Sequence, residues 1–272
     1  MNKIIDAHVH VYPESVAEKA AKNLGEFYGF TVQCKGTYED LKAQAKETGT
    51  AGFFFLAVAT AERQVEKLNY NMANLVAKAR EDGFLALGFG GLHQDYPNKR
   101  GEVARCESLG LCGIKIHPDI QRVDIDDPRL LSVYEELESR GMKLFLHMGD
   151  DRPEYRYSEP KKLARVLDLF PGLVVIAAHF GGYRAWDEAK AHLWGRENVW
   201  YDASSTFWDV TPEKALEFAQ GCGVENVLYG SDYPVMRLAD YLELFNKLEL
   251  SEPERQAILY GNATRFMSIC RK

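Results

Sequence analysis

GIKIHPDIQRVDIDDPRLLSVYEELESRGMKLFLHMG, Gly113–Gly149, reads as one strand–helix–strand unit. Gly113–His117 is a short apolar strand, Pro128–Arg140 a helix ending at Gly141, and Lys143–His147 a second strand. Each strand delivers a histidine at its carboxyl end. Outward from this unit the same alternation continues in both directions. Downstream come the helix Glu159–Phe170, strand Val174–His179, helix Arg184–Leu193, strand Val199–Ala203, helix Pro212–Gln220 with proline in its favoured first turn, and strand Asn226–Ser231. Upstream lie the helix Lys99–Leu109 and strand Phe84–Phe89. Before them comes the helix Ala61–Glu81, which Thr60 is placed to cap. The run Ala51–Val58 is continuously apolar, as a parallel strand covered on both faces must be.

The amino-terminal strand starts at Lys3-Ile4-Ile5 and runs to Asp6-Ala7-His8-Val9-His10. About forty residues separate it from the next strand and hold two helical patterns, Glu14–Tyr28 and Tyr38–Lys46, read as an elaborated loop over one end of the fold. Two more helices, Leu238–Leu248 and Glu252–Ile269, close the chain. Strands alternating with helices eight times give a closed parallel (β/α)8 barrel more naturally than an open sheet. With no linker or second composition regime, residues 1–272 form one domain.

Composition narrows the function. Hydrophobic content of 46% and charged content of 27% are those of an ordinary globular protein. A net charge of −7 argues against a nucleic-acid surface, and no apolar run is long enough to span a membrane. Five cysteines without a C-x-x-C pattern, and histidines too close to the start to leave room for a signal peptide, point to free thiols and a cytoplasmic protein. Homo-oligomerisation stays open.

In a strand, residues i and i+2 share a face, so His8 and His10 can grip one metal ion; alone, an H-x-H pair is as readily two metal-free histidines. The later strands weigh on this. Lys115 and His117, His147, His179, Asp202 and Asp232 end strands four to eight, with Lys115 to His147 and His147 to His179 each 32 residues apart and Asp202 to Asp232 30. That is one β/α unit per polar residue, which brings them to the carboxyl-end mouth where such barrels keep their sites.

The segments Ile5–His10 (IDAHVH), Gly113–Pro118 (GIKIHP), Leu144–Gly149 (LFLHMG), Val174–Gly182 (VVIAAHFGG), Leu228–Pro234 (LYGSDYP) and Gly261–Met267 (GNATRFM) run from end to end of the chain. As an ordered set they resemble the amidohydrolase superfamily, in particular the amidohydrolase-related group of small TIM-barrel hydrolases and decarboxylases. The resemblance implies a divalent metal among His8, His10, His147 and Asp232, with His179 beside it acting on substrate. A mainly nitrogen donor set suits zinc, with manganese, iron or cobalt as alternatives, at one ion per chain. Asp232 is then both ligand and proton acceptor for a metal-activated water, and His179 polarises a carbonyl or orients that water. The plainer reading of His179 is a histidine hydrogen-bonded to a carboxylate beside the ligands.

Lys115 has two readings: an ammonium that grips a substrate carboxylate, with His117 on the same face, or a carboxylated bridge between two metals, as in some relatives. Substrate binding is the reading favoured. Arg122, Arg152 and Arg156 lie in the loops after strands four and five with Gln121, Tyr155 and Tyr157, and point to a small anionic substrate; surface charge is the alternative for each. Cys106, Cys112, Asp150, Asp151, His93 and His192 read as structural or solvated. The leading expectation is hydrolysis of an amide, lactone or ester, and the alternative is non-oxidative decarboxylation of a small unsaturated or aromatic acid.

Overall fold

The computed structural model describes residues 3–270. Eight parallel strands follow one another in chain order around a barrel: β1 (Ile4–Val9), β2 (Thr50–Leu56), β3 (Leu85–Gly91), β4 (Gly113–Ile116), β5 (Lys143–Leu146), β6 (Val175–Ala177), β7 (Val199–Asp202) and β8 (Val227–Leu228). Backbone bonds from Ala7 N–H to Tyr229 O (2.8 Å) and His10 N–H to Tyr233 O (2.7 Å) close β8 onto β1. The loop after β1 carries α1 (Glu14–Tyr28) and α2 (Tyr38–Thr48), and the outer ring continues with α3 (Val65–Glu81) and α4 (Lys99–Ser108). A short α5 (Pro118–Gln121) precedes α6 (Pro128–Arg140), followed by α7 (Pro160–Leu169), α8 (Trp186–His192) and α9 (Pro212–Cys222). The chain ends in α10 (Leu238–Asn246), α11 (Glu252–Gln256) and α12 (Asn262–Ile269), the last two joined by the π-helical turn Ala257–Gly261.

Alternation along the strands sorts the core into two layers. Phe54, Leu56, Phe89, Phe145, Ile176, Trp200 and Leu228 fill the barrel, while Phe53, Phe55, Ile114, Ile116, Leu144, Leu146 and Val175 pack under the helices. The amino end of the barrel is plugged by α12, whose Phe266 ring lies 5.8 Å from Phe54 and 5.2 Å from Trp200. That plug corrects the expectation of five free thiols. It carries Cys270 to the foot of β4, where a disulfide joins it to Cys112 at a Cα–Cα distance of 5.6 Å; Cys34, Cys106 and Cys222 are free.

Simple alternation would not have aimed the H-x-H pair correctly. Ile5 and Ala7 point into the barrel, so His8 should point out. Between Asp6 and Val9, however, three steps of β1 match two of β2, because Asp6 pairs with Phe53 and Val9 with Phe55. This β-bulge inserts a residue and reverses the parity. Val9 packs outside with Phe55, and His8 reaches the interior, 5.2 Å from the Phe145 ring. Gly230 makes room: a Cβ there would stand 2.9 Å from His8 Cβ.

Smaller departures sit at the mouth. Strand β6 stops at Ala177, and His179 stands in a turn with φ 58°; Asp232 has φ 59°, four residues beyond β8. Neither is on a strand as the sequence suggests. Both hold left-handed conformations, which non-glycine residues adopt rarely and chiefly where the surroundings over-determine them. Thr60 does not cap α3. It donates its hydroxyl and backbone N–H to Gln64 Oε1, from a turn Glu62–Gln64 that precedes the helix.

Candidate active site

The imidazoles of His8 and His10 have their tautomers fixed by what lies behind them. His10 Nδ1 faces Leu56 O at 3.1 Å, and a carbonyl can only accept. His8 Nδ1 faces Asp202 Oδ2 at 3.0 Å and the Ser204 hydroxyl at 3.0 Å. Protons on both Nδ1 atoms leave lone pairs on the two Nε2 atoms, which approach to 3.2 Å. Asp232 Oδ1 stands 3.3 Å from His8 Nε2 and 3.7 Å from His10 Nε2. Three buried or half-buried electron-pair donors thus converge with no proton of their own between them, an arrangement that fits a divalent cation.

His147 and His179 stand beside this group, His147 Nδ1 lying 3.0 Å from His179 Nε2. His179 Nδ1 must donate to Ser204 O at 3.0 Å, so its Nε2 carries the lone pair and faces His147 Nδ1, while His147 Nε2 lies 3.2 Å from the Gly149 carbonyl. On the far side the His147 ring stacks on His117 at 3.9 Å, and the Tyr28 hydroxyl bridges His117 Nε2 (2.8 Å) and His147 Nε2 (3.3 Å). His147 and His117 also approach the buried Asp119 in a second cluster of three. His147 therefore stands closer to His117 and His179 than to the triad of His8, His10 and Asp232.

Burial sets the charge states. Desolvation pushes His10 down to about 3, with help from neighbouring His8, and His179 down to about 4 against the pull of Asp202 and Asp232. His117 and His147 are held well below the usual imidazole value, first by burial and then by the cationic groups around them. Burial alone would raise Asp232. The charges of His8, His179 and His10, with the Ser205 hydroxyl at 2.6 Å, hold it below the usual carboxylate range. Lys115 is 1% exposed, its ammonium 4.4 Å over the Phe145 ring, with no hydrogen-bond partner among the described residues. Burial brings it down to about 8.

Helix α1 roofs the mouth. Its Phe27 and Tyr28 lie over the histidines, and Arg152 clamps them. The guanidinium is forked by Asp150, donates to Phe27 O at 2.5 Å and stacks on Tyr155 at 4.1 Å. Beneath the roof is a cavity of about 530 Å³ with His8, His10, His117, His147 and Asp232 at one end. A much smaller one is lined by His147, His179, Ser205 and Asp232, with Tyr28 on the wall of both.

The structure thus brings together His8, His10, His117, His147, His179 and Asp232, with Lys115 below them on the wall of neither cavity. It does not bring the three arginines in as substrate forks. The Arg152 fork is filled by Asp150, Arg156 is exposed and paired with Glu159, and Arg122 is exposed on the turn after α5. Tyr28, Asp202 and Ser204 contact the histidines, yet only Asp202 stood out in the sequence, as a strand-end residue. Asp150 proves structural, as read.

Comparison with known proteins gives a match to the amidohydrolase family model over residues 5–269. A 2-amino-3-carboxymuconate-6-semialdehyde decarboxylase of Dictyostelium discoideum is 29% identical over 209 residues, 62% of this chain. The chain spans only 56% of that relative's length. Among solved structures, a Polaromonas dihydroxybenzoic acid decarboxylase with bound manganese and 2-nitroresorcinol superposes with a TM-score of 0.74 at 17% identity, covering 100% of this chain and 98% of that one. A probable 2-pyrone-4,6-dicarboxylic acid hydrolase of Acinetobacter baumannii, with citric acid bound, gives 0.71 at 17%, covering 98% and 100%. At these identities the two structures establish a shared fold.

Proposed function

Because the chain belongs to the amidohydrolase family, we propose that it is a metal-dependent, non-oxidative decarboxylase of a small carboxylic acid. This reverses the order of preference drawn from the sequence, where hydrolysis led. The named activity of the Dictyostelium relative favours the change. The observation that carries it is the cavity, whose histidine end meets a wall of aliphatic and aromatic side chains. A carboxylate bound there gives up water, and its charge disperses as the carbon–carbon bond breaks, so a dry apolar site favours that cleavage. Hydrolysis needs a water stationed beside the carbonyl.

In this proposal His8, His10, His147 and Asp232 hold one divalent ion. Zinc and manganese both suit three imidazoles and a carboxylate, and manganese is the ion of the Polaromonas structure. The ion would supply positive charge to anchor the substrate and to draw electron density from the breaking bond. Asp202, Leu56 O and Ser204 O orient the imidazoles and fix their tautomers. The carboxyl group leaves as carbon dioxide, its bonding pair stays on the substrate carbon, and one proton is taken up there. His179 and Asp232 are the groups placed to carry that proton, since both are held in the proton-accepting form and border the small cavity. Lys115 adds a positive charge below the site and lowers the cost of burying an anion. The test is carbon dioxide release by protein loaded with manganese or zinc, over a panel of aromatic and unsaturated acids, beside ring opening of lactones. Release from at least one acid is expected. Lactone turnover with no release from any acid would restore hydrolysis.

A further inference from the structure

The cavity under α1 also bears on what the substrate looks like beyond its reacting group. Its walls come from four elements that meet above the mouth. The loop after β1 gives Val11, α1 gives Leu24 and Phe27, the end of β2 gives Leu56, and α3 gives Leu68 and Met72. Among the described residues, no lysine, arginine or glutamate lines it between the histidines and the opening, and Asp232 at the histidine end is its sole aspartate. The polar groups farther out are Asn23, Thr60 and Gln64, all neutral and all exposed, so they mark the rim. Gln64 Oε1 is already occupied by the hydroxyl and N–H of Thr60 and the N–H of Ala61. The arginines that a second acid group would need are turned to Asp150 and Glu159.

A volume of about 530 Å³ is that of a site for a small organic molecule, not a gap left by packing. A charged group placed among these walls would lose its water and find no partner. We infer that the cavity binds acids with a single carboxylate and an extended apolar body, the acid at the histidine end and the alkyl or aryl part along α1 and α3, and that it rejects dicarboxylates. This rests on the proposed function for the direction in which the acid points. It departs from the arginine-gripped anion that the loop sequences suggested.

Binding to the metal-loaded protein tests it, because binding can be read without turnover. Benzoate, 4-methyl-, 4-ethyl- and 4-butylbenzoate, and terephthalate are titrated by calorimetry. Each added methylene should tighten binding about fourfold until the cavity is filled, and terephthalate should bind at least tenfold more weakly than 4-methylbenzoate. Leu24→Trp, which fills the cavity from the half-buried face of α1, should remove the gain from the butyl chain, so that 4-butylbenzoate binds no more tightly than benzoate. Leu68→Arg should bring terephthalate binding up. A flat alkyl series, terephthalate tighter than benzoate, or no binding of any of these acids would overturn the inference. A rising alkyl series without carbon dioxide release would defeat the proposed reaction and leave the substrate class standing.

Discussion

Acid should unfold the metal-free protein well before it reaches the carboxylates that usually govern acid denaturation. Four histidines, His10, His117, His147 and His179, are buried and held neutral. Each is a base whose folded value lies below its unfolded one, so the unfolded chain binds more protons at low pH. Their contribution is complete above about pH 6.5 and is lost as pH falls toward the folded values. At pH 5 an unfolded histidine has gained about 2 kcal/mol from protonation that His179, at about 4, and His10, at about 3, cannot share. Those two alone forfeit about 4 kcal/mol between pH 7 and 5, and His117 and His147 act in the same direction. Asp6 and Asp119 oppose this. Burial raises them to about 7 and about 6, so they take up protons in the folded state, and together they return about 3.5 kcal/mol over the same interval. These two sums nearly cancel, so the net loss falls to His117 and His147, which burial holds well below the usual imidazole value. Urea unfolding of chelated protein at pH 7.5, 6 and 5 reads it directly. Stability should fall steeply below pH 6.5, and zinc or manganese at pH 7 should raise it by mass action. Equal stability at pH 7 and 5 would refute the protonation states on which the site is built.

Elemental analysis of purified protein should find about one divalent ion per chain, and His8→Ala or His10→Ala should lose it. Asp232→Asn, assayed metal-saturated, should lose ~10²–10⁴-fold in turnover, the range typical of a positioned proton carrier; a few-fold loss would leave the carboxylate a ligand only. Lys115→Ala should raise KM for an anionic substrate with metal content unchanged, whereas a fall from two ions to one or none would show a carboxylated bridge. Arg152→Ala should raise KM several-fold without altering metal content, because it frees the Phe27 carbonyl and the stacked roof while touching no ligand; an unchanged KM would show that α1 holds its place without the clamp.

The parts of this molecule legible in the sequence are those set by local periodicity. The helices at Glu14–Tyr28 and Pro128–Arg140 fall where their patterns put them, since amphipathic spacing and left-handed glycines at Gly29 and Gly141 act within a turn or two. The cadence of strand-end residues gave the barrel and the convergence of the histidines, because a parallel barrel turns equal spacing along the chain into one mouth. What depended on distant partners was hidden. The bulge in β1 follows from register with β2, the tautomer of His8 from Asp202 194 residues away, and the disulfide from α12 folding under the barrel. Arg152 read as a substrate fork because nothing local showed that the buried Asp150 carboxylate, two residues earlier, would be turned to meet it. Tyr28 carried no signal beyond its place in an overlong loop.

Under the proposed function, that loop is where the reaction is chosen. The barrel supplies imidazoles whose tautomers are fixed by Asp202, Leu56 O and Ser204 O, a carboxylate kept ionised, and a buried lysine, and these parts serve hydrolysis and decarboxylation equally well. The difference lies in whether water can stand beside the bound carboxyl group, and that is decided by α1. Its Phe27 and Tyr28 cover the histidines, and Leu24 extends an apolar wall to the rim. Arg152, by holding the carbonyl of Phe27, fixes how closely that roof is drawn. A chain with the same strand ends and a polar, arginine-bearing α1 would admit water and a second carboxylate. The wall found here offers a second carboxylate no charged partner, so under the proposed function specificity and reaction type are set together by one helix outside the barrel.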